Sequence, residues 1–155
     1  MSENEEHRLI AWNRELTAAH QRLRHALRVS RDALNAGDAR LAHADLLLYC
    51  HGFCAALSGH HRGEDGALFP ELAARHPGLK STIAKLRQDH EMIAALLTQF
   101  SHALTAAATP DELERHLDGL GAIMESHFRY EERQLLDALS ALHLEADPHG
   151  LLGPL

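Results

Sequence analysis

Residues Leu79 to Leu104 read "LKSTIAKLRQDHEMIAALLTQFSHAL". In this stretch Leu79, Ile83, Leu86, His90, Ile93, Leu97, Phe100 and Leu104 recur in alternating steps of four and three, the spacing that lines one face of an α-helix. A half-buried strand would alternate at every second residue, and this stretch does not. The stripe also sets a problem, because one of its apolar positions holds a histidine.

The same period continues on both sides. Upstream, Leu9, Trp12/Asn13, Leu16, His20, Leu23, Leu27 and Leu34 predict a helix over 4–35, with Gly37 as its left-handed cap and Asp38 capping the next helix. A second stripe follows through Leu46, Cys50, Phe53, Leu57, His60/His61 and Glu64, and it is expected to break around Gly63, Gly66 and Pro70. "PELAARHPG" from Pro70 to Gly78 reads as a short helical turn leading into the Leu79 stripe. Downstream, "TPDE" supplies a capping box with Thr109 as N-cap, Pro110 at the first helical position and Glu112 three residues in. Leu113, Leu117, Leu120, Met124, His127, Glu131 and Leu135 form the fourth stripe. The prediction is all-α: an up-down-up-down antiparallel four-helix bundle over residues 1–144, followed by an irregular tail, "EADPHGLLGPL", over 145–155.

Composition narrows the class of function. The chain has 155 residues, of which 45% are hydrophobic, enough for one substantial core. Its 15 basic and 22 acidic residues give a formal charge of -7, which disfavours nucleic acid and anionic membranes as partners. The start, "MSENEEHRLIAW", has neither the basic nor the apolar region of a signal peptide, and the expected location is the cytoplasm. Cys50 and Cys54 lie one turn apart on one predicted helix, a poor geometry for a disulfide, so both read as buried free thiols. The expected assembly state is a monomer or weak oligomer.

With 14 histidines in the chain, each one needs a positional argument. His20, His60/His61, His90 and His127 interrupt all four stripes on the core side, and Glu64 and Glu131 follow His60 and His127 by four residues, so each His–Glu pair shares a helix face. Depth agrees as well. The midpoint between His20 and His60 is residue 40, that between Glu64 and His90 is Pro77, and that between His90 and His127 falls beside Thr109. All three lie on or near predicted turns, so the interruptions should converge on one layer of an antiparallel bundle. Burying five imidazoles and two carboxylates without compensation would cost several kcal/mol per group. Metal ions resolve this. Seven donors exceed a tetrahedral zinc site and suit two six-coordinate first-row metals bridged by carboxylates, iron first and manganese second. The Glu-x-x-His motif of ferritin-like bundles is absent, and His90-Glu91 does not continue into a zinc-protease signature because position 94 is alanine.

The lone His20, "HHRGEDGALFPEL" from His60, "DHE" around His90 and "HFRYEE" from His127 together resemble the hemerythrin-like, or HHE cation-binding, family over roughly residues 4–144. The resemblance implies a non-haem di-iron centre with an oxo or hydroxo bridge, in which Glu64 and Glu131 bridge the metals. It further implies that His20 and His60 bind one iron while His61, His90 and His127 bind the other. Two features depart from the oxygen carriers of that family. Ala94 stands where they have a second third-helix histidine, and Glu131 lies one residue earlier than their aspartate. His61 would replace the missing nitrogen from a different helix.

Two functions follow from this reading. One is a redox protein whose di-iron site reacts with peroxide, oxygen or nitric oxide, as a peroxidase or catalase would. The other binds, stores or senses oxygen or iron without turnover. Among neighbouring residues, Tyr49, Cys50, Phe53 and Cys54 read as core packing, and Phe128 and Tyr130 as packing beside the ligands. Asp65, Asp89, Glu91 and Glu132 are weighed as partners of the imidazoles, with solvated helix surface the favoured reading for most of them.

Overall fold

The described residues of the computed structural model are 11–35, 41–106, 108–144 and 146–153. Expectations placed on residues 4–10, on Gly37 and Asp38, and on the Leu46 side chain fall outside them. Among the described residues the chain is helical, with no strand. Helix α1 runs Trp12–Asn35 and α2 runs Leu41–Gly63; a π turn, Glu64–Leu68, leads directly into α3, Phe69–Arg75. A 3-10 turn at Pro77–Leu79 precedes α4, Lys80–Thr105; α5 spans Pro110–Ser140 and α6 spans Pro148–Leu152. Helix α1 packs on α2 and α5, and α4 packs on α5 and α2.

The stripes become the core. On α4 the buried residues are Ile83, Leu86, His90, Ile93, Leu97, Phe100 and Leu104, which is the alternating pattern read from the sequence. Helix α5 starts at the capping box: the Thr109 side chain accepts from the Glu112 amide and the Glu112 carboxylate accepts from the Thr109 amide. Its buried face runs from Leu113 through Met124, His127 and Glu131 to Leu139.

Two apolar clusters fill the interior. One holds Leu23, Leu27, Phe53, Leu57, Ile93, Phe100, Leu117 and Met124. The other holds Trp12, Leu16, Leu68, Phe69, Leu72, Leu86, Leu135 and Leu152. Polar residues fall where the chain passes from one cluster to the other, as at His20 between Leu16 and Leu23, His90 between Leu86 and Ile93, and Glu131 between Phe128 and Leu135. The polar layer is therefore walled by hydrocarbon above and below.

Two expectations need correction. The helical path does not break at Gly63, Gly66 and Pro70: it widens into the π turn, whose closing bond runs from the Phe69 amide to the Glu64 carbonyl. Pro70 sits at the start of α3, where a missing N–H costs little. The Asp65 carbonyl, five residues before that proline, instead accepts from Arg87 Nη2 at 3.2 Å. The segment past Leu144, expected to be irregular, carries the short helix α6, capped by the Asp147 side chain on the His149 amide. Its Leu151 and Leu152 are buried because they complete the Trp12–Phe69 cluster, a tertiary contact that outweighs the helix-breaking composition.

Candidate metal centre

All seven polar residues singled out in the sequence meet in one layer. His20, His60, Glu64 and Glu131 are fully buried, and His61, His90 and His127 nearly so. They form two groups of donor atoms, each within 4.8 Å of one another: His61, Glu64, His90 and His127 in one, and His20, His60, Glu64 and Glu131 in the other. Glu64 belongs to both, with its Oε1 3.2 Å from His60 Nε2 and 3.5 Å from His90 Nε2. Glu131 also faces both groups: Oε1 lies 3.6 Å from His20 Nε2 and Oε2 lies 3.1 Å from His127 Nε2. The π turn has a local role here, since it carries Glu64 inward while its neighbour Asp65 reaches His90.

The outer ring nitrogens fix the inner ones. His60 Nδ1 meets the Leu152 carbonyl at 2.6 Å, His90 Nδ1 meets Asp65 at 2.8 Å, and His127 Nδ1 meets Asp89 at 3.2 Å. A carbonyl or carboxylate can only accept, so each ring holds a proton on Nδ1, and in its neutral form presents a bare Nε2 to the centre. His20 Nδ1 lies 3.3 Å from Glu132, outside hydrogen-bond geometry, and that ring stacks on Phe128 at 3.8 Å. Glu132 is also 3.7 Å from Arg24, which pairs with Glu125. His61 stacks on His90 at 3.8 Å.

A cation fits this donor set. The inner nitrogens of His20, His60 and His61 and all four carboxylate oxygens of Glu64 and Glu131 are buried without a hydrogen bond, which native interiors rarely tolerate. His90 Nε2 and His127 Nε2 are 3.1 Å apart, and with both outer nitrogens donating to aspartates the two inner nitrogens share either one proton or a cation. Electrostatics says the same. Burial, aided by the neighbouring His20, pushes His60 down to about 4, and burial holds His61 well below the usual histidine range. Both are neutral, the form that binds metals. Burial works to lower His20 and His127 too, but Glu131 and the outer carboxylates raise them on balance. Burial and the adjacent Glu131 drive Glu64 well above the carboxylate range. Burial would also raise Glu131, yet Glu64, His127 and His20 hold it well below that range. Without a cation, then, one of the two carboxyls keeps a proton.

The structure differs from the sequence reading around the donors. Asp65, Asp89 and Glu132 lie against imidazoles instead of forming solvated surface, whereas Glu91 is exposed. Tyr49, expected in the core, is 42% exposed. On a helical wheel it lies about 80° from the centre of the buried stripe. Cys50 and Cys54 are buried and free, as expected. Phe128 packs on His20, while Tyr130 carries Lys85 over its ring at 4.1 Å. The Leu152 carbonyl was not anticipated, since a backbone acceptor leaves no mark in residue type.

A cleft of about 310 Å³ between α2 and α4, lined by Ser58, His61, Asp65, His90, Ala94 and Leu97, reaches this layer from the surface. No helix among the described residues is long and apolar enough to cross a membrane. A family model described as hemerythrin HHE cation binding domain matches residues 13–139. Comparison with curated proteins and with solved structures finds no match.

Proposed function

The chain belongs to the hemerythrin HHE cation-binding family, and on that premise we propose that it is a di-iron protein whose buried centre reacts with a small oxidant, such as peroxide, oxygen or nitric oxide. His20 and His60 would hold one iron, His61, His90 and His127 the other, with Glu64 and Glu131 shared; manganese is the second choice. The observation that carries this reading is the arrangement of the donors: three Nδ1 atoms tied outward to acceptors, and the inner atoms gathered in two groups within 4.8 Å of one another that share Glu64. The alternation of the two apolar clusters along successive helices supports an up-down-up-down antiparallel bundle around that space.

Iron bound there supplies a redox couple and a Lewis acid for a small ligand. The protein's own residues bind and orient it: Asp65, Asp89 and the Leu152 carbonyl set the imidazole planes, and the two apolar clusters exclude bulk water. The cleft beside Ala94 and Leu97 suits small molecules reaching His61 and His90. Both cysteines are buried free thiols, which suits a reducing compartment such as the cytoplasm.

A second reading, reversible binding, storage or sensing of oxygen or iron, is favoured by the complete burial of His20, His60, Glu64 and Glu131, which leaves no solvent-linked acid among them to deliver protons during turnover. Metal analysis tests the shared premise: about two irons per chain are expected, with most lost in His60→Ala and in Glu131→Ala, and full occupancy in both variants overturns the assignment. Peroxide added to the iron-loaded protein then separates the readings. Steady consumption marks an enzyme, and a stable, reversible spectral change marks a carrier.

A further inference from the structure

The segment after α5 closes directly on the layer of candidate ligands. Leu152 and Gly153 lie at the end of α6, and the Leu152 carbonyl is the acceptor that holds the His60 Nδ1 proton. This contact is made possible by two glycines, one on each side of the junction. Gly153 has φ +90, in the left-handed region, and a Cβ there would lie 2.7 Å from the His60 amide nitrogen. A Cβ on Gly63 would lie 2.9 Å from the carbonyl carbon and oxygen of Leu151. Neither neighbour is a flexible side chain, so any larger residue at either glycine must push α6 away from α2. By contrast, a Cβ on Gly150, within the same short helix, would meet nothing within 4 Å.

His60 depends on this contact more than its counterparts depend on theirs. His90 and His127 are oriented by aspartates on the long helices or the π turn between them, which are held by the body of the bundle. His60 is oriented by a backbone carbonyl from a five-residue helix, anchored by Leu151 and Leu152 and by the Trp12 Nε1 bond to the Leu144 carbonyl. A backbone acceptor cannot be lost by substitution at its own position, so the geometry is set by the packing on either side of it.

Resting on the metal-site reading above, we infer that α6 is a latch whose Leu152 carbonyl, seated by the Gly63 and Gly153 contacts, positions His60 and thereby sets how tightly the ion at the His20–His60 group is retained. Leu152, Gly153 and Gly63 are positioning residues. They touch His60 or its tether and not the ion. Releasing the latch frees the His60 ring to turn and lets its proton move to Nε2, the nitrogen that has to stay bare to bind a metal. The ion at the His61–His90–His127 group keeps its own oriented imidazoles, so the effect is one-sided.

The test compares the parent chain with Gly153→Ala, Gly63→Ala and the control Gly150→Ala, after circular dichroism has identified the folded variants. In metal-free protein, long-range nitrogen–proton NMR of the imidazoles reads the tautomer directly. The parent and Gly150→Ala should show His60 protonated at Nδ1 with slow solvent exchange; Gly153→Ala should show mixed tautomers or fast exchange, with His90 and His127 unchanged. In iron-loaded protein, release to a chelator should be uniform in the parent and biphasic in Gly153→Ala, half the iron leaving about 10–100-fold faster. If Gly153→Ala does not fold, Gly63→Ala gives the same readings from the other side of the junction. An unchanged His60 tautomer and exchange rate in a folded Gly153→Ala or Gly63→Ala protein overturns the latch. If the parent binds no metal, the di-iron reading fails, while the metal-free NMR comparison still decides whether α6 positions His60.

Discussion

His90 Nε2 and His127 Nε2 stand 3.1 Å apart across the centre, and each ring is turned into that confrontation by an aspartate on its outer nitrogen, Asp65 for His90 and Asp89 for His127. With both outer nitrogens donating, the two inner nitrogens can share one proton or a cation. The aspartates thus do for these rings what no apolar neighbour could: they choose the tautomer.

Removing that choice should weaken metal binding without unfolding the chain. Asp89→Ala leaves His127 free to carry its proton on either nitrogen, and iron affinity is expected to fall about 10–100-fold. Glu91→Ala, a change at an exposed position on the same helix, should have no effect. Competition titration against a chromogenic chelator checks both. Equal affinities for the two variants would show that Asp89 does not orient the ring.

Metal removal should cost stability. A ligand at a thousand times its Kd adds about 4 kcal/mol to the folded state, and for a domain of this size each kcal/mol moves Tm by about 2–4 °C. Scanning calorimetry of iron-loaded and metal-free protein should therefore show a difference of about 8–16 °C. The metal-free form should still unfold cooperatively, since both apolar clusters are built without the ion. Coincident transitions would mean that the metal does not select the folded state.

Cys50 gives a pH dependence whose sign can be worked out. Burial pushes its thiol up to about 11; Cys54 adds to this and a hydrogen bond with Ser30 works against it. In the unfolded chain the thiol ionises near its ordinary value, so above that pH the unfolded state loses a proton that the native state keeps. Stability should fall as pH rises from about 9 to about 11, by about 2–3 kcal/mol from this group. Denaturant titrations at both ends of that window, on the parent and on Cys50→Ala, check it. The variant should lack this part of the loss, and parallel pH profiles would contradict it.

Most of the layered architecture was legible because it rests on side-chain type at fixed spacing. The alternation of four and three residues from Ile83 to Leu104 is the buried face of α4, with Leu79 half-buried in the turn before it, and the Thr109–Glu112 box marks the start of α5. The seven polar interruptions were legible for a related reason: a histidine or glutamate on an apolar stripe contradicts its surroundings. What escaped depended on backbone and on context. Gly63 reads as a stop signal, yet its missing Cβ serves the approach of Leu151. Asp65 and Asp89 look like ordinary helix surface until the neighbouring helix brings an imidazole to each. The Leu152 carbonyl is common to every residue type and could have been found only from the fold.

The tether on His60 also orders events in the life of the molecule. Translation produces His20 first and Glu131 last among the inward-facing donors, and Leu152 emerges after all of them. While the chain is still being made, the donors can meet before the carbonyl that seats His60 exists. On the latch reading, His60 reaches its final orientation only once the end of α6 has left the ribosome and folded back. On that reading, a nascent or clipped chain lacking those residues has every donor and an unseated His60, so the seating of one donor waits on residues translated after all of them.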